Sequence, residues 1–264
     1  MTLSTVDGKR AEIDGTRLRA AEQLRREAAT LVFTPDRLAI VKAGPAARRA
    51  YFDRSLARVL PARAHLPADY AAVVAQRNAA LKRRERGAIA PWTAQLASLG
   101  SELVAARKEL IALIQEPFAD SAGRLGLPDA RLAYEGEPPS EADLEGRLEH
   151  DLERGSTGLG PHLHDVSVVS ATRDLRAFGS QGEQRTAVLA LLLAEALLLA
   201  ERRGEPPLLL LDDVLSELDP VRRHALVEQI QGLGQTLVTA TTADALPAEP
   251  AQLLEVSLGR IAVG

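Results

Sequence analysis

Two adjacent carboxylates, Asp212 and Asp213, end an unbroken run of leucines, Leu208 to Leu211. A short apolar run bounded by prolines and acids reads as a buried strand. In an open parallel sheet, ligands collect at the carboxyl ends of the strands. Two acids at such a tip suit phosphoryl chemistry: one holds Mg2+, usually through water, and the second polarises an attacking water. The same letters have a plainer use, because a terminal carboxylate also caps the helix that follows. Ser216-Glu-Leu-Asp219, directly after the pair, weighs toward the chemical use.

Upstream lies Gly179-Ser180-Gln181-Gly182-Glu183-Gln184-Arg185, at the head of a long apolar helix. Glycines let the backbone approach a phosphate closely, and a helix N-terminus supplies free N–H groups with a partial positive charge. Ser180 is placed to cap that helix and to offer a hydroxyl to a phosphate; an ordinary glycine turn with a serine cap has the same spelling. Together, turn and acid tip read as the rear half of a nucleotide site that sandwiches ATP between two protein heads.

The elements around these residues follow from periodicity. Asp7-Gly8 and Asp14-Gly15 are turn dipeptides within a weakly alternating start, as in a hairpin meander. Residues 31–33 read as a short strand and 45–60 as a helix opened by Pro45. Further helices are expected at 69–86 and at 91–117, the latter bending at Gly100. Residues 131–134 read as an edge strand and 140–154 as a capped acidic helix. From Val166 the pattern becomes strand 165–170, buried helix 186–203, strand 208–211, helix 220–232 and strand 236–240. Apolar strands alternating with helices predict a parallel sheet covered on both faces.

The chain has 264 residues, 46% of them hydrophobic and 26% charged, which suits a soluble globular protein with one large domain or two lobes. It has no cysteine, so disulfide scaffolds and thiolate metal sites are excluded. The start, MTLSTVDGKRAEIDG, holds no apolar signal segment, and the reading is cytoplasmic. The net charge of −4 divides unevenly: residues 1–90 carry 18 Lys/Arg against 9 Asp/Glu, and the remainder carries 14 against 27. Arg48, Arg49, Arg77, Lys82, Arg83 and Arg84, with Arg86, form the densest basic set. They read either as a solvated helix surface or as a face that contacts DNA phosphates. In the second case binding weakens steeply as salt rises. Aromatic content of only 3% argues against base-stacking platforms.

The Ser-Gln-Gly-Glu-Gln-Arg-Thr turn and the Leu-Leu-Leu-Asp-Asp-Val-Leu-Ser-Glu-Leu-Asp strand resemble the RecF family of ABC/SMC-type ATPases. Similar stretches run from Val32 to Lys42, through Gly44-Pro45, Arg48-Arg49 and Phe52-Asp53, and from Tyr70 to Gln76-Arg77-Asn78 and Leu81. Thr157, Gly160-Pro161-His162 and Thr239-Ala-Thr241-Thr242 also match. The resemblance covers about residues 1 to 245. It implies an α/β fold, an ABC/SMC-type P-loop NTPase head with an inserted helical lobe, here partial because the N-terminal strands are missing. Residues 1–44 and 156–264 form the nucleotide-binding lobe and residues 45–155 the helical lobe.

The resemblance also implies roles. Ser180, Gln181 and Gly182 form the signature that grips the γ-phosphate of ATP on a second head. Asp212 is the Walker B carboxylate for Mg2+, and Asp213 orients the attacking water. Ser216 to Asp219 form the D-loop across the dimer seam, and Thr241 or Thr242 stands at the switch position where other ABC proteins place a histidine. Members of the family bind DNA, dimerise with ATP, hydrolyse it slowly, and load recombinase at gaps with RecO and RecR.

Two departures stand out. The family's phosphate loop, Gly-x-x-x-x-Gly-Lys-[Ser/Thr], has no match: the one Gly-Lys, Gly8-Lys9, is followed by Arg10, with Leu3 where the first glycine belongs. A fragment, a misassigned start and a truncated gene each account for this. In any of these cases the chain alone is expected to bind Mg-ATP poorly and not to turn it over. A non-catalytic DNA- or partner-binding remnant is therefore the alternative function. The second departure is Leu163 and His164 in place of a charged pair. His162-x-His164-Asp165 has metal-ligand types, but the expectation is a hydrogen-bonded loop.

Overall fold

The structure is a computed structural model that describes residues 29–242 and 246–263, together with the backbone of three short strands nearer the N-terminus. Those strands, β1 (Thr2–Ser4), β2 (Arg10–Ile13) and β3 (Thr16–Arg17), form an antiparallel meander as the alternation predicts. The turn dipeptides and Gly8-Lys9 lie outside the described residues.

Two compact units emerge, one from Met1–Pro35 with Pro206–Gly264, the other from Asp36–Glu205. They do not coincide with the lobes drawn from the sequence, since residues 156–205 group with the helical residues rather than with the acid-tipped strand.

In the first unit, β4 (Thr30–Phe33) leads into the second unit, and the chain returns through β8 (Leu208–Leu211). Helix α9 (Pro220–Ile230) then crosses to β9 (Thr236–Val238). The sheet order is β4-β8-β9, all parallel, with Phe33 opposite Leu211 and Leu211 opposite Val238. Leu31, Phe33, Leu209 and Leu211 bury one face, while Val32 and Leu210 on the other are half-buried. Near the C-terminus, β10 (Leu254–Ser257) and β11 (Arg260–Val263) form a hairpin absent from the sequence expectations.

The second unit is mainly helical: α1 (Ala39–Lys42), α2 (Pro45–Val59), α3 (Leu66–Arg83), α4 (Arg86–Arg124), α5 (Glu141–Gly146), α6 (Leu148–Arg154), α7 (Leu175–Phe178) and α8 (Gln181–Arg203). Helix α4 packs against α3, α2 and α8, and buries Leu96, Leu103, Leu110, Ile114 and Phe118. The expected bend at Gly100 does not interrupt it. Gly100 lies where the Tyr70 ring of α3 comes within 3.4 Å of the position a Cβ would take, so the small residue serves a close helix crossing. The 39-residue helix also runs through Pro91 and Pro117, one lost hydrogen bond each being outweighed by its buried stripe.

The expected strands at 131–134 and 165–170 both form, as β5 (Arg131–Glu135) and β6 (Asp165–Ser170). Strand β6 does not join the parallel sheet. It lies between β5 and β7 (Arg173–Asp174), antiparallel to both. The reason is local: Ala171 and Thr172 both take positive φ, 46° and 71°, and turn the chain straight back. A parallel neighbour would need a crossover of about a dozen residues, whereas a two-residue turn with positive φ makes a hairpin.

Candidate functional site: the acid-tipped strand and the capped turn

The register of the parallel sheet builds the acid tip. Leu211 faces Val238, so the next residue on each strand, Asp212 and Thr239, come level as the strands end. The Asp212 amide donates to Phe33 O at 2.9 Å and the Thr239 amide to Leu211 O at 3.0 Å, which carries the ladder one step past the strands. The Thr239 hydroxyl donates to Asp212 Oδ1 at 2.7 Å and accepts from the Asp213 amide at 3.0 Å. Asp212 is exposed and Asp213 half-buried. Asp213 takes φ of 50°, a left-handed conformation uncommon outside glycine and tolerated best by Asn and Asp. The Ser216 hydroxyl donates to Asp213 O at 3.0 Å. Asp219 caps α9, accepting from the Arg222 amide at 2.9 Å. Thus the plainer use of a carboxylate, as a helix cap, belongs to Asp219 and not to Asp212 or Asp213.

Thr239 opens the Thr239-Ala-Thr241-Thr242 stretch, and no role is expected of it from the sequence. Thr241 and Thr242, to which the resemblance gave the switch position, are exposed and bond to neither acid among the described residues. The signal that singles out Thr239 is register: it stands one residue past the strand that pairs with the acid-tipped strand.

The second unit holds the glycine turn. Asp174 caps α7, which ends at Phe178, and Gly179 then closes on it, its amide donating to Leu175 O at 3.1 Å. A Cβ on Gly179 would lie 2.5 Å from that carbonyl oxygen, so the close approach requires glycine. Buried Gln184 reaches back, its Nε2 donating to Leu175 O at 2.8 Å and to Gly179 O at 3.3 Å. Ser180 is the N-cap of α8 in a reciprocal box: its Oγ accepts from the Glu183 amide at 3.2 Å, and Glu183 Oε2 accepts from the Ser180 amide at 2.7 Å. Those hydrogen bonds, with Arg173 beside it at 3.0 Å, hold the Glu183 carboxyl below its usual range. Helix α8 thus starts at Gln181 rather than at Thr186. The amides of Gln181 and Gly182 have no acceptor among the described residues and sit at the positive end of a 23-residue helix.

The basic set divides. Arg77 is fully buried, its Nη1 donating to Asp151 Oδ2 at 2.7 Å and Thr157 Oγ1 at 2.9 Å, and its Nε to Thr93 Oγ1 at 3.1 Å. Arg48 is also buried, forked onto Asp165 with Nε–Oδ1 at 2.7 Å and donating to Ala43 O at 2.8 Å. Both are scaffold residues, and neither guanidinium is open to a DNA phosphate. Arg49 is half-buried and donates to His164 O at 2.6 Å. Lys82, Arg83 and Arg84, at the turn between α3 and α4, are exposed.

Other motif residues join the same scaffold. The Asn78 Oδ1 accepts from the Thr157 amide and hydroxyl, both at 2.7 Å. Arg107 forks onto Asp53 at 2.8 Å and donates to Pro161 O. Tyr70 Oη lies 3.0 Å from His162 Nδ1, and a side chain on Gly160, whose φ is 130°, would collide with that hydroxyl. His162 Nε2 lies 3.1 Å from Thr157 O, and His164 Nδ1 lies 2.9 Å from Tyr134 Oη. The two histidines are thus hydrogen-bonded within their segment, and Asp165, the first residue of β6, is held by Arg48. No helix among the described residues is long and apolar enough to cross a membrane.

No protein-family model matches the chain. The fold is that of an ABC/SMC-type ATPase head. A solved Smc head from Pyrococcus furiosus superposes with a TM-score of 0.53 at 15% identity, covering 98% of this chain and 69% of that one, and this likeness speaks for the fold alone. Sequence narrows the class. The DNA replication and repair protein RecF of Symbiobacterium thermophilum is 39% identical over 252 residues, 88% of this chain and 67% of the relative. That of a Synechococcus strain is 36% identical over 291 residues, 99% and 76% of the two chains. A solved structure of the recombination mediator protein RecF-ATP of the RecFOR pathway superposes with a TM-score of 0.79 at 25% identity, over 98% of this chain and 74% of that one. The chain belongs to the RecF family.

Proposed function

We propose that this chain is a head of a DNA-repair ATPase that binds DNA and ATP in the cytoplasm and acts, with RecO and RecR, in loading recombinase at gaps. The relatives are DNA replication and repair proteins, and the solved RecF-ATP is a recombination mediator. The observation that carries the reading is the acid pair at the carboxyl end of the central parallel strand, where such sheets bind ligands.

The residues fit a shared Mg2+ site. Asp212 offers a hard carboxylate oxygen, since Oδ1 is held by Thr239 and Oδ2 has no partner among the described residues. Mg2+ is commonly held by one or two carboxylates plus substrate phosphates, not by an all-protein cage. When bound, the ion neutralises charge on the phosphate oxygens. Asp213, fixed through its amide and its carbonyl, orients the attacking water. Ser180, Gln181 and Gly182 present a hydroxyl and two free amides to the γ-phosphate of ATP on a second head. Asp219 keeps the D-loop in shape by capping α9, and Thr241 or Thr242 stands at the switch position. Homodimerisation then depends on ATP. Lys82, Arg83 and Arg84 contact DNA phosphates.

A second reading, DNA and partner binding without ATP turnover, is favoured by one observation: Gly8-Lys9-Arg10 is not a phosphate loop. The 264-residue chain alone is therefore expected to release no phosphate from ATP above background. Turnover that disappears in Asp213→Asn would overturn this and establish a complete site within the one chain.

A further inference from the structure

We infer that Thr239 is the positioning residue of the acid tip, setting the usable face of Asp212 and the conformation of Asp213 through one hydroxyl. The inference rests on the reading of Asp212 as a cation ligand. A threonine hydroxyl has a single proton and two lone pairs. Here the proton goes to Asp212 Oδ1 at 2.7 Å, and a lone pair takes the Asp213 amide at 3.0 Å.

Two consequences follow. The first concerns Asp212. It is exposed, and nothing else in the described residues holds its side chain, so without the hydroxyl its carboxylate is free to rotate between rotamers. With the hydroxyl, Oδ1 is committed and Oδ2 is the oxygen left for a divalent cation. A carboxylate ligand held by an outer hydrogen bond is the arrangement that orients metal ligands generally. The second concerns Asp213. Its φ of 50° lies in the left-handed region, which a non-glycine residue keeps only where its neighbours fix it. The Thr239 hydroxyl on its amide and the Ser216 hydroxyl on its carbonyl do that. Parallel register makes the bridge possible, because Thr239 is the partner of Asp212 one step beyond the Leu211–Val238 pair.

The test compares the full chain with Thr239→Val, which keeps the shape and removes the hydroxyl, and Thr239→Ser, which keeps the hydroxyl. Amide hydrogen exchange at Asp213 reads the bond directly. It should be roughly five- to tenfold faster in Thr239→Val and normal in Thr239→Ser. Broadening of NMR signals by Mn2+ alone reads the cation oxygen. Residues 211–213 should broaden in the wild type, with apparent affinity about ten- to a hundredfold weaker in Thr239→Val and restored in Thr239→Ser. Thermal melting of each variant guards against global unfolding. Unchanged Asp213 exchange in a folded Thr239→Val overturns the positioning role. Altered exchange with no Mn2+ broadening in the wild type instead overturns the reading of Asp212 as a cation ligand, and with it the cation half of the inference.

Discussion

A guanidinium taken out of water costs several kcal/mol unless its bonds are replaced, and removing the partner of a buried pair costs about 3–5 kcal/mol. Arg48 and Arg107 meet that demand with carboxylates far away in sequence, Asp165 and Asp53; Arg77 meets it in part, pairing with Asp151 through Nη1 while its buried Nη2 has no partner among the described residues. Composition alone does not separate such residues from exposed Lys82, Arg83 and Arg84, because the partners are set by tertiary packing. His164 lies among the same charges. Burial, then Arg107, His162 and Arg49, push its pKa down from 6.5 to about 4. The folded state thus prefers the neutral ring. Between pH 4 and 6.5 the unfolded chain binds more protons, so stability rises with pH there and is lost on acidification. Asp165 titrates lower. Burial pushes it up, but the bonds from Arg48 and the Val166 amide outweigh that and leave it below 3.8. The expected outcome is a melting temperature that falls on acidification from pH 6.5 to 4 more steeply in the wild type than in His164→Gln. Equal slopes in parallel melting series would contradict it.

At the scale of elements, the turn before α8 is built from local bonds. Gly179 folds onto Leu175, Gln184 clamps both carbonyls, and Ser180 and Glu183 cap each other. Gly179→Ala places a methyl against Leu175 O and should cost about 1–3 kcal/mol, with faster amide exchange in the first turn of α8. Gly123→Ala meets nothing within 4 Å on a helical segment and should instead stabilise by about 0.5–1 kcal/mol. Chemical denaturation of the two variants checks the pair of signs. The contrast also shows what the letters carry. Strands 31–33 and 208–211, the cap at Ser180 and the helix expected at 220–232, which ends at Ile230, were legible because their causes lie within a few residues. The fate of strand 165–170 was not, since alternating strands and helices suggested a parallel sheet while the reversal at Ala171-Thr172 depends on two non-glycine residues with positive φ. Nor was the continuity of α4 through Pro91, Gly100 and Pro117, which packing against α3 and α8 decides.

At the scale of the whole molecule, the acid tip belongs to one compact unit and the capped turn to the other. Each is complete in its own local geometry: carboxylates held by Thr239, amides of Gln181 and Gly182 left open. Under the proposed function, the anion that meets those amides belongs to nucleotide on a second head. Sedimentation of the chain mixed with a family member that carries the Gly-x-x-x-x-Gly-Lys-[Ser/Thr] loop tests this most directly. The expected result is a mixed dimer with ATP and Mg2+, absent with ADP, and lost when Ser180→Arg blocks the turn. A mixed dimer that forms equally without nucleotide, or that survives Ser180→Arg, would contradict it.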